Sequence, residues 1–313
     1  MNAFLVFGLF FVVMIVGLAL LYHFQLGLAG IGQFGIVGFW GLGMYAFGVL
    51  YVQVDWPLGQ PWPFLLSLVL ATLITGLAGA VVGWVIGDLN IDGILVGTLA
   101  FATGLRILIT EQRDLTGGVV GLGGLEIPIS LGGRSTNEAV WLVILTVVVV
   151  IILAYITRVH RSPYGRLLIA IGANEPLARS LGKPTTLEKI VLLAWTSAGM
   201  GLFGAMYGMM VHFLTPLKLS IDITLAVMVG LVLGGSTRVW GGVVGVLLTV
   251  GLFDIVVQIF LPLPAEFKQQ ALPVAKQMAY GLLLIIVLMY RSSGVLGAMH
   301  RDRLLRRLDL GRP

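Results

Sequence analysis

Few side chains in this sequence have the types and spacing that enzyme chemistry requires. Cysteine is absent, which excludes disulfides, thiolate metal sites and a cysteine nucleophile. The histidines, at positions 23, 160, 212 and 300, are too widely separated to match a metal-ligand spacing. No Ser-His-Asp arrangement and no suitable pair of carboxylates is recognisable. We therefore expect no catalytic residue, no cofactor and no metal site, and the sequence argues against a membrane-embedded enzyme.

Nucleotide-binding loops are missing as well. The phosphate loop of ATPases has the pattern Gly-x-x-x-x-Gly-Lys-Ser/Thr, whereas Gly182-Lys183 is followed by Pro184 and lacks the upstream glycine. The glycine-rich stretch 118–124 does not fit the pattern Gly-x-Gly-x-x-Gly, and no strand–helix unit surrounds it. The chain itself therefore carries no pattern for ATP hydrolysis.

Three ionisable side chains lie within or near the ends of apolar segments: Arg106, His212 and Asp254, the last with Gln258 one turn further on. Ionisable groups inside membrane segments are candidates for function. The alternative for each is a polar contact at the interface or between helices. A proton relay would need more such groups in line, and the sequence does not supply them.

The elements that position these groups are membrane helices. Hydrophobic residues make up 58% of the 313 residues and charged residues 11%, with a mean hydropathy of +1.03. A soluble domain carries about a quarter charged residues. The apolar runs are long enough to cross a hydrocarbon core of about 30 Å as helices. Lipid is therefore the solvent of this chain.

Hydropathy predicts about nine apolar segments, at residues 4–22, 28–53, 64–87, 93–110, 139–157, 189–213, 221–236, 239–261 and 278–290. The first has no basic region before it and is interpreted as a retained helix rather than a cleaved signal. Segment 28–53 is longer and richer in glycine than one span needs, so we expect it to be broken or re-entrant. We therefore predict an all-α, polytopic membrane protein of eight to ten helices, forming a single permease domain over residues 1–313.

Basic residues are concentrated in the connection 160–188, with Lys189 just beyond it, and in the C-terminal tail 291–313. Because Lys and Arg accumulate in cytoplasmic segments, both are expected to be cytoplasmic, and the four spans between them keep the two assignments consistent. The acidic connection 111–138 then lies outside, with the N-terminus. The positive net charge of +5 thus reflects membrane topology, and the basic tail is expected to rest on lipid headgroups rather than on nucleic acid.

Small residues recur at close spacing within the spans. Gly79, Gly83 and Gly87 repeat every fourth residue, and similar pairs occur elsewhere, such as Gly241 with Gly245. Such faces let helices approach closely in lipid. Glycines at 32, 35, 38 and 41 recur every third residue and are expected along one side of a helix. Helix packing and the lining of a solute path are the two interpretations.

A short helix is predicted at residues 175–181. Asn174 is a favourable N-cap, and Gly182 can take the left-handed conformation that follows a helix. Leu177 and Leu181 lie on one face. A helix this short is unstable alone, so either the rest of the chain or a cytoplasmic partner must cover that face.

Five stretches, in order, resemble the permeases of branched-chain amino acid ABC transporters, and specifically the LivM-like subunit. They are SPYGR at 162–166 with AIGANEPLARSLG at 170–182, GQFG at 32–35 with GMY at 43–45, TLAF at 98–101 with LR at 105–106 and LTGG at 115–118, LGGSTRVWG at 233–241, and YGL at 280–282 with YRSSGVLG at 290–297. The sequence departs from that family at Arg179, where Glu is frequent, and in the acidic stretch 87–92, where Arg is frequent.

The resemblance implies half of the translocation path of an ATP-driven importer of amino acids, or of urea or an amide. The implied partners are a second, LivH-like permease subunit, two cytoplasmic ATPase subunits, an extracytoplasmic solute-binding protein and membrane lipid. The protein would be a multi-pass protein of the cell inner (cytoplasmic) membrane, and the predicted helix would be its coupling element on the cytoplasmic side. Its expected residues are Asn174, Glu175, Leu177, Ala178, Leu181 and Gly182.

The translocation path is expected to include residues from three of the stretches that resemble the family. These are Gln33, Gly35, Gly38, Thr98, Gly234 and Gly235. The alternative function is an ion-coupled secondary transporter of small solutes. Such a carrier would transport on an ion gradient when reconstituted alone, whereas a permease subunit would be inactive without its partners.

Overall fold

The structure is a computed structural model that describes residues 3–57, 59–125, 134–256 and 272–290. Within these ranges the chain is helical apart from its connections and contains no β-strand. The helices are α1 (Ala3–Tyr22, continued by a π-helix, His23–Leu28), α2 (Ile36–Val52), α3 (Trp62–Ile86), α4 (Ile91–Glu111), α5 (Arg113–Thr116), α6 (Arg134–His160), α7 (Pro163–Ala173), α8 (Glu175–Ser180), α9 (Thr185–Val211), α10 (Ile221–Gly234), α11 (Val239–Val246, continued by a π-helix, Leu247–Val256) and α12 (Leu272–Tyr290).

The prediction of an all-α membrane protein is confirmed. In the part of the chain that the structure describes, six helices are long and apolar enough to cross a membrane: α1, α3, α4, α6, α9, and α10 with the turn before it. Helices α2 and α11 are apolar but shorter. Each of the nine predicted segments overlaps one of the helices α1–α4, α6 and α9–α12.

Helix α2 occupies the middle of the bundle. It packs against α9, α3, α4 and α10, and most of its residues are buried. The two helices approach closely at glycines, because Gly43 of α2 lies against the backbone of Gly201 of α9. Helices α3, α4 and α6, by contrast, expose apolar faces that include Leu77, Val96 and Val147, as expected of surfaces that meet lipid.

The four-residue glycine spacing in α3 serves helix packing. A β-carbon at Gly79 would lie 2.5 Å from the β-carbon of Ser197, and one at Gly83 would lie 3.2 Å from the α-carbon of Ile190. Both neighbours are on α9. For these glycines the packing interpretation is therefore correct.

The bundle has two ends, which the connections define. At one end, the α3–α4 connection contacts the start of α9, and α7 and α8 lie beside it. We call this the α8 end. At the opposite end, the Gln53 side chain donates to the carbonyl of Leu115 at 2.7 Å, and Leu122 pairs with Leu214. The N-terminal Ala3 of α1 belongs to this opposite end, because the other end of α1 lies near α7.

The predicted break in segment 28–53 is confirmed, and it lies at residues 29–35. Two hydroxyl groups from neighbouring helices satisfy backbone N–H groups in and just after the break: Thr98 accepts from Phe34 at 3.0 Å, and Thr224 accepts from Val37, in the first turn of α2, at 3.2 Å. Non-helical backbone at membrane depth needs such partners. The predicted glycine stripe along one helix side is wrong, because Gly32 and Gly35 precede the first turn of α2.

Candidate functional site

Helix α8 forms as its capping residues predict. The Asn174 side chain accepts a hydrogen bond from the backbone N–H of Leu177 at 3.0 Å, and Pro176 lies in the first turn, where no N–H is needed. Gly182 follows with a φ of 77°, the left-handed conformation that ends a helix without strain at glycine. The helix spans 175–180, one residue shorter than predicted, and Leu181 is its C-cap.

Removing the cap should loosen α8 locally. We expect Asn174→Ala to cost about 1 kcal/mol of local stability, because one helical N–H loses its acceptor. Hydrogen exchange of the amides in α8 should then become about five-fold faster. Asn174→Asp preserves an acceptor oxygen and should exchange at the wild-type rate. Equal rates for the alanine and wild-type proteins would contradict the capping role.

The two leucines of α8 are not covered by the rest of the described chain. Leu177 is 57% exposed and Leu181 is 72% exposed, whereas Ala178 between them is buried. The predicted apolar face therefore points away from the bundle. The sequence left open whether the rest of the chain or a cytoplasmic partner covers this face. The described part of the chain does not cover it.

The other side of α8 is held by a group of side chains that we call the clamp: Asp88, Glu175, Arg179, Thr186 and Lys189. Lys189 Nζ contacts Glu175 Oε2 at 2.7 Å. Arg179 Nη2 contacts Asp88 Oδ1 at 3.1 Å, Thr186 Oγ1 at 3.1 Å and Glu175 Oε1 at 3.4 Å. The clamp joins α8 to the start of α9 and to the α3–α4 connection.

Two members of the clamp have distinct electrostatic surroundings. Lys189 is only 5% exposed, and its ammonium group also donates to the carbonyl of Gly87 at the end of α3, at 2.9 Å. A cation there is favoured by the negative end of the α3 dipole. The hydroxyl of Thr186, followed by the guanidinium of Arg179, holds the pKa of Asp88 below its usual value, so this carboxylate is ionised at neutral pH.

Helix α7 is attached to the α1–α2 break. A β-carbon at Gly172 would lie 2.7 Å from the carbonyl oxygen of Leu28 and 2.9 Å from the backbone nitrogen of Gly30. Gly30 has a φ of 67° and therefore also favours glycine. The two backbones meet without intervening side chains.

A cavity of about 740 Å³ lies between these attachments. Its walls are the α1–α2 break, the α3–α4 connection, the end of α7 and the first half of α8. Three carboxylates and two cations line it: Asp88, Asp92, Glu175, Arg179 and Lys189. The cavity therefore borders every element that the clamp joins.

A buried polar cluster lies beside the break. Gln33 Nε2 donates to Gln25 Oε1 at 2.6 Å, and Gln25 Nε2 donates to the hydroxyl of Thr196 on α9. Both glutamine side chains are fully buried, and Gln33 Oε1 has no hydrogen-bond partner within the described ranges. Gln25 and Thr196 did not stand out in the sequence, because an isolated Gln or Thr in an apolar run gives no signal of a distant partner.

The structure brings four of the six expected path residues together. A β-carbon at Gly35 would lie 3.0 Å from the β-carbon of Thr98 and 3.2 Å from Gln33 Oε1, and Gly38 packs against Ala102 one turn further along α4. Gly234 and Gly235 are elsewhere, at the end of α10, where both lie against the backbone of Gly241 of α11.

The ionisable groups of the spans have separate locations. Arg106 lies on an exposed side of α4, towards its end at the opposite end of the bundle. His212 ends α9 with a φ of 60°, and its Nδ1 lies 2.8 Å from the carbonyl oxygen of Leu125. Asp254 is part of the π-helix that continues α11. Gln258 and the tail 291–313 lie outside the described residues.

Comparisons with known proteins give one consistent result. A family model described as "Branched-chain amino acid transport system / permease component" matches residues 3–288. The high-affinity branched-chain amino acid transport system permease protein LivM of Salmonella typhimurium is 26% identical over 305 residues, which cover 90% of this chain and 67% of that protein. LivM of Escherichia coli is 25% identical over the same shares.

Permease proteins of a second kind of import system are also similar to the chain. The autoinducer 2 import system permease protein LsrC of Salmonella typhi is 28% identical over 201 residues, which cover 62% of this chain and 56% of that protein. No solved structure gives a significant match to the chain.

Proposed function

Because the chain belongs to the permease-component family of branched-chain amino acid transport systems, we propose that it forms one half of the membrane path of an ATP-driven importer. The chain is a multi-pass membrane protein and a permease component of an ABC import system. We propose that the other half is a LivH-like permease subunit. Two cytoplasmic ATPase subunits supply the energy, and an extracytoplasmic binding protein delivers the solute.

The exposed face of α8 is the observation that carries this proposal. Leu177 and Leu181 form an apolar ridge on a short helix whose other side is fixed to the bundle by the clamp. A ridge of this kind fits an apolar groove on a partner protein, as other helix-in-groove contacts do. We propose that the partner is an ATPase subunit and that α8 is the coupling helix.

The orientation follows from the same assignment. If α8 meets the ATPase, then the α8 end is cytoplasmic and the N-terminus lies outside. The basic residues in and beside the connection, such as Arg158 at the end of α6 with Arg161 and Arg166, agree with this orientation. We propose that the tail 291–313 is also cytoplasmic and rests on anionic lipid.

The proposed solute is a branched-chain or other amino acid, or a related small polar molecule such as urea or an amide. The relatives named LivM cover 90% of the chain, and LsrC, which is named for autoinducer 2, covers less of it. Solute choice depends largely on the binding protein. Identifying the receptor that co-purifies with the assembled complex would therefore decide the solute.

Reconstitution separates this function from an ion-coupled carrier. Proteoliposomes that contain this chain, the second permease and the ATPases should take up solute only with ATP and the binding protein. The chain alone should show no uptake on a proton or sodium gradient. Uptake by the chain alone, driven by either gradient, would reject the proposal.

The α8 face provides a direct test of ATPase docking. We expect Leu177→Asp to weaken ATPase binding by about ten-fold or more, because a buried apolar contact of about 1.5–3 kcal/mol is replaced by a charge that must be desolvated. The binding can be measured by titrating detergent-solubilised permease with ATPase. Leu177→Met keeps an apolar side chain of similar volume and should bind normally. Wild-type affinity of the aspartate variant would show that α8 does not meet the ATPase.

A further inference from the structure

The clamp attaches α8 to the α3–α4 connection, which is distant from it in the sequence, and to the start of α9, the next helix in the chain. Through Asp88 and through the carbonyl of Gly87, it contacts the connection between α3 and α4. Through Thr186 and Lys189, it contacts the first turns of α9. A displacement of α8 therefore reaches α3, α4 and α9 through polar contacts.

The clamp contributes little to the stability of the fold through its exposed pair. Asp88 and Arg179 have side chains that are 70% and 55% exposed, and exposed ion pairs are weak because water and salt screen them. Arg179 nevertheless engages three different side chains besides Asp88: Glu175, Thr185 and Thr186. An arginine with four acceptors on three elements orients those elements relative to one another.

The buried member of the clamp is the firmer link. Lys189 is almost completely buried, so its ammonium group depends on Glu175 Oε2 and the Gly87 carbonyl for compensation. Glu175 is the first residue of α8, and Gly87 caps α3. Moving the start of α8 away from α3 would leave a buried charge short of a partner, so these two elements are held to move together.

We infer that the clamp is the mechanical link by which movement of α8 is passed to α3 and α4, with Asp88 and Arg179 as positioning residues. The inference rests on the proposed function, since it requires that a partner moves α8. From Gly87 the movement continues along α3, whose Gly79 and Gly83 pack closely on α9. The clamp thus connects α8 to the close contact between α3 and α9.

Charge reversal tests this link in the complete complex with ATPases, second permease and binding protein. Asp88→Arg places a cation against Arg179 and Lys189, and we expect solute transported per ATP hydrolysed to fall about ten-fold while the subunits still assemble. Asp88→Asn keeps an oxygen for Thr186 but loses the ion pair, and it should give a smaller loss. The double variant Asp88→Arg with Arg179→Asp restores opposite charges and should recover most of the ratio.

The outcomes are separable from those of the proposed function. Failure of the wild-type chain to bind ATPase or to transport with ATP would reject the proposed function, whatever the variants do. Normal transport per ATP in both Asp88 variants would overturn the clamp alone. A double variant with as low a ratio of transport to ATP hydrolysis as Asp88→Arg would also overturn the clamp, because restoring the ion pair would then not restore the coupling. If Asp88→Arg does not accumulate, the ratio measured for Asp88→Asn decides between these results.

Discussion

Replacing Gly204 by alanine is expected to prevent stable folding of the chain. A β-carbon at this position of α9 would collide with the carbonyl oxygen of Trp40 and lie 2.9 Å from the backbone nitrogen of Met44, both on α2. Neither atom belongs to a flexible side chain, so relief requires that two central helices move apart. Overpacking of this kind costs about 1–3 kcal/mol or more. We expect the variant to be lost from the membrane fraction or to melt well below the wild type.

A matched alanine substitution isolates the steric cause. Gly104 also lies within a membrane helix, but a β-carbon there would meet no atom within 4 Å in the described chain. Gly104→Ala should therefore accumulate and melt like the wild type. If both variants were equally stable, the close packing of α2 on α9 would not be what holds the centre of the bundle together.

The helices of this fold could be predicted from sequence because the signal is local. Most spans are continuous apolar runs, and each of the nine segments that hydropathy indicated overlaps a helix, without any knowledge of its neighbours. Capping is also local, so Asn174 and Gly182 predicted both ends of α8 to within one residue. The orientation of the apolar face of α8 could not be derived in this way, since it depends on what the rest of the chain covers.

The contacts that join distant segments were not predictable from one sequence. The glycines at 32, 35, 38 and 41 had helical spacing, yet α2 begins only at Ile36, and side chains of distant helices, Thr98 and Thr224, accept from the N–H groups of Phe34 and Val37. Spacing alone does not reveal such partners. Gln25 likewise could not be recognised as part of a polar cluster until the structure showed its hydrogen bonds with Gln33 and Thr196.

The clamp is an intermediate case. Arg179 and the acidic stretch 87–92 both differ from the pattern of the family that the sequence resembles, and each looked like an isolated departure. In the structure they are in contact, because Arg179 pairs with Asp88. Two differences from the family pattern, of opposite charge and far apart in the sequence, therefore indicated that the two segments are in contact.

Two attachments give the segment α7–α8 different targets in the bundle. Helix α8 reaches α3, α4 and α9 through the clamp, whereas α7 reaches the α1–α2 break through Gly172 and Gly30. The break adjoins the buried Gln25–Gln33 cluster, and the cavity of about 740 Å³ separates the two attachments. If a partner moves the segment, both attachments respond at once, and the break is the less regular and more easily remodelled target.

Replacing Gly172 by alanine is therefore expected to abolish ATP-driven transport. The added carbon would lie 2.7 Å from the Leu28 carbonyl oxygen and 2.8 Å from the Ala29 carbonyl carbon, so α7 must separate from the break. Gly172 belongs to α7, which is not one of the membrane-spanning helices, so we expect the variant still to fold and to bind ATPase. We expect uptake in proteoliposomes to fall to about one tenth of wild type or less, with ATP hydrolysis retained.

Gly32→Ala is the control for this prediction, because it adds the same methyl group to the break itself. Its β-carbon would lie 3.5 Å from the nearest atom, a methyl carbon of Leu95, which is an ordinary contact. This variant should transport normally. A loss of transport in both variants would mean that the break tolerates no added carbon, whereas normal transport by Gly172→Ala would mean that α7 does not act on the break. Loss in Gly172→Ala alone locates the effect at the backbone contact between α7 and residues 28–30, since the methyl group added at Gly32 lies against Leu95 and not at that contact.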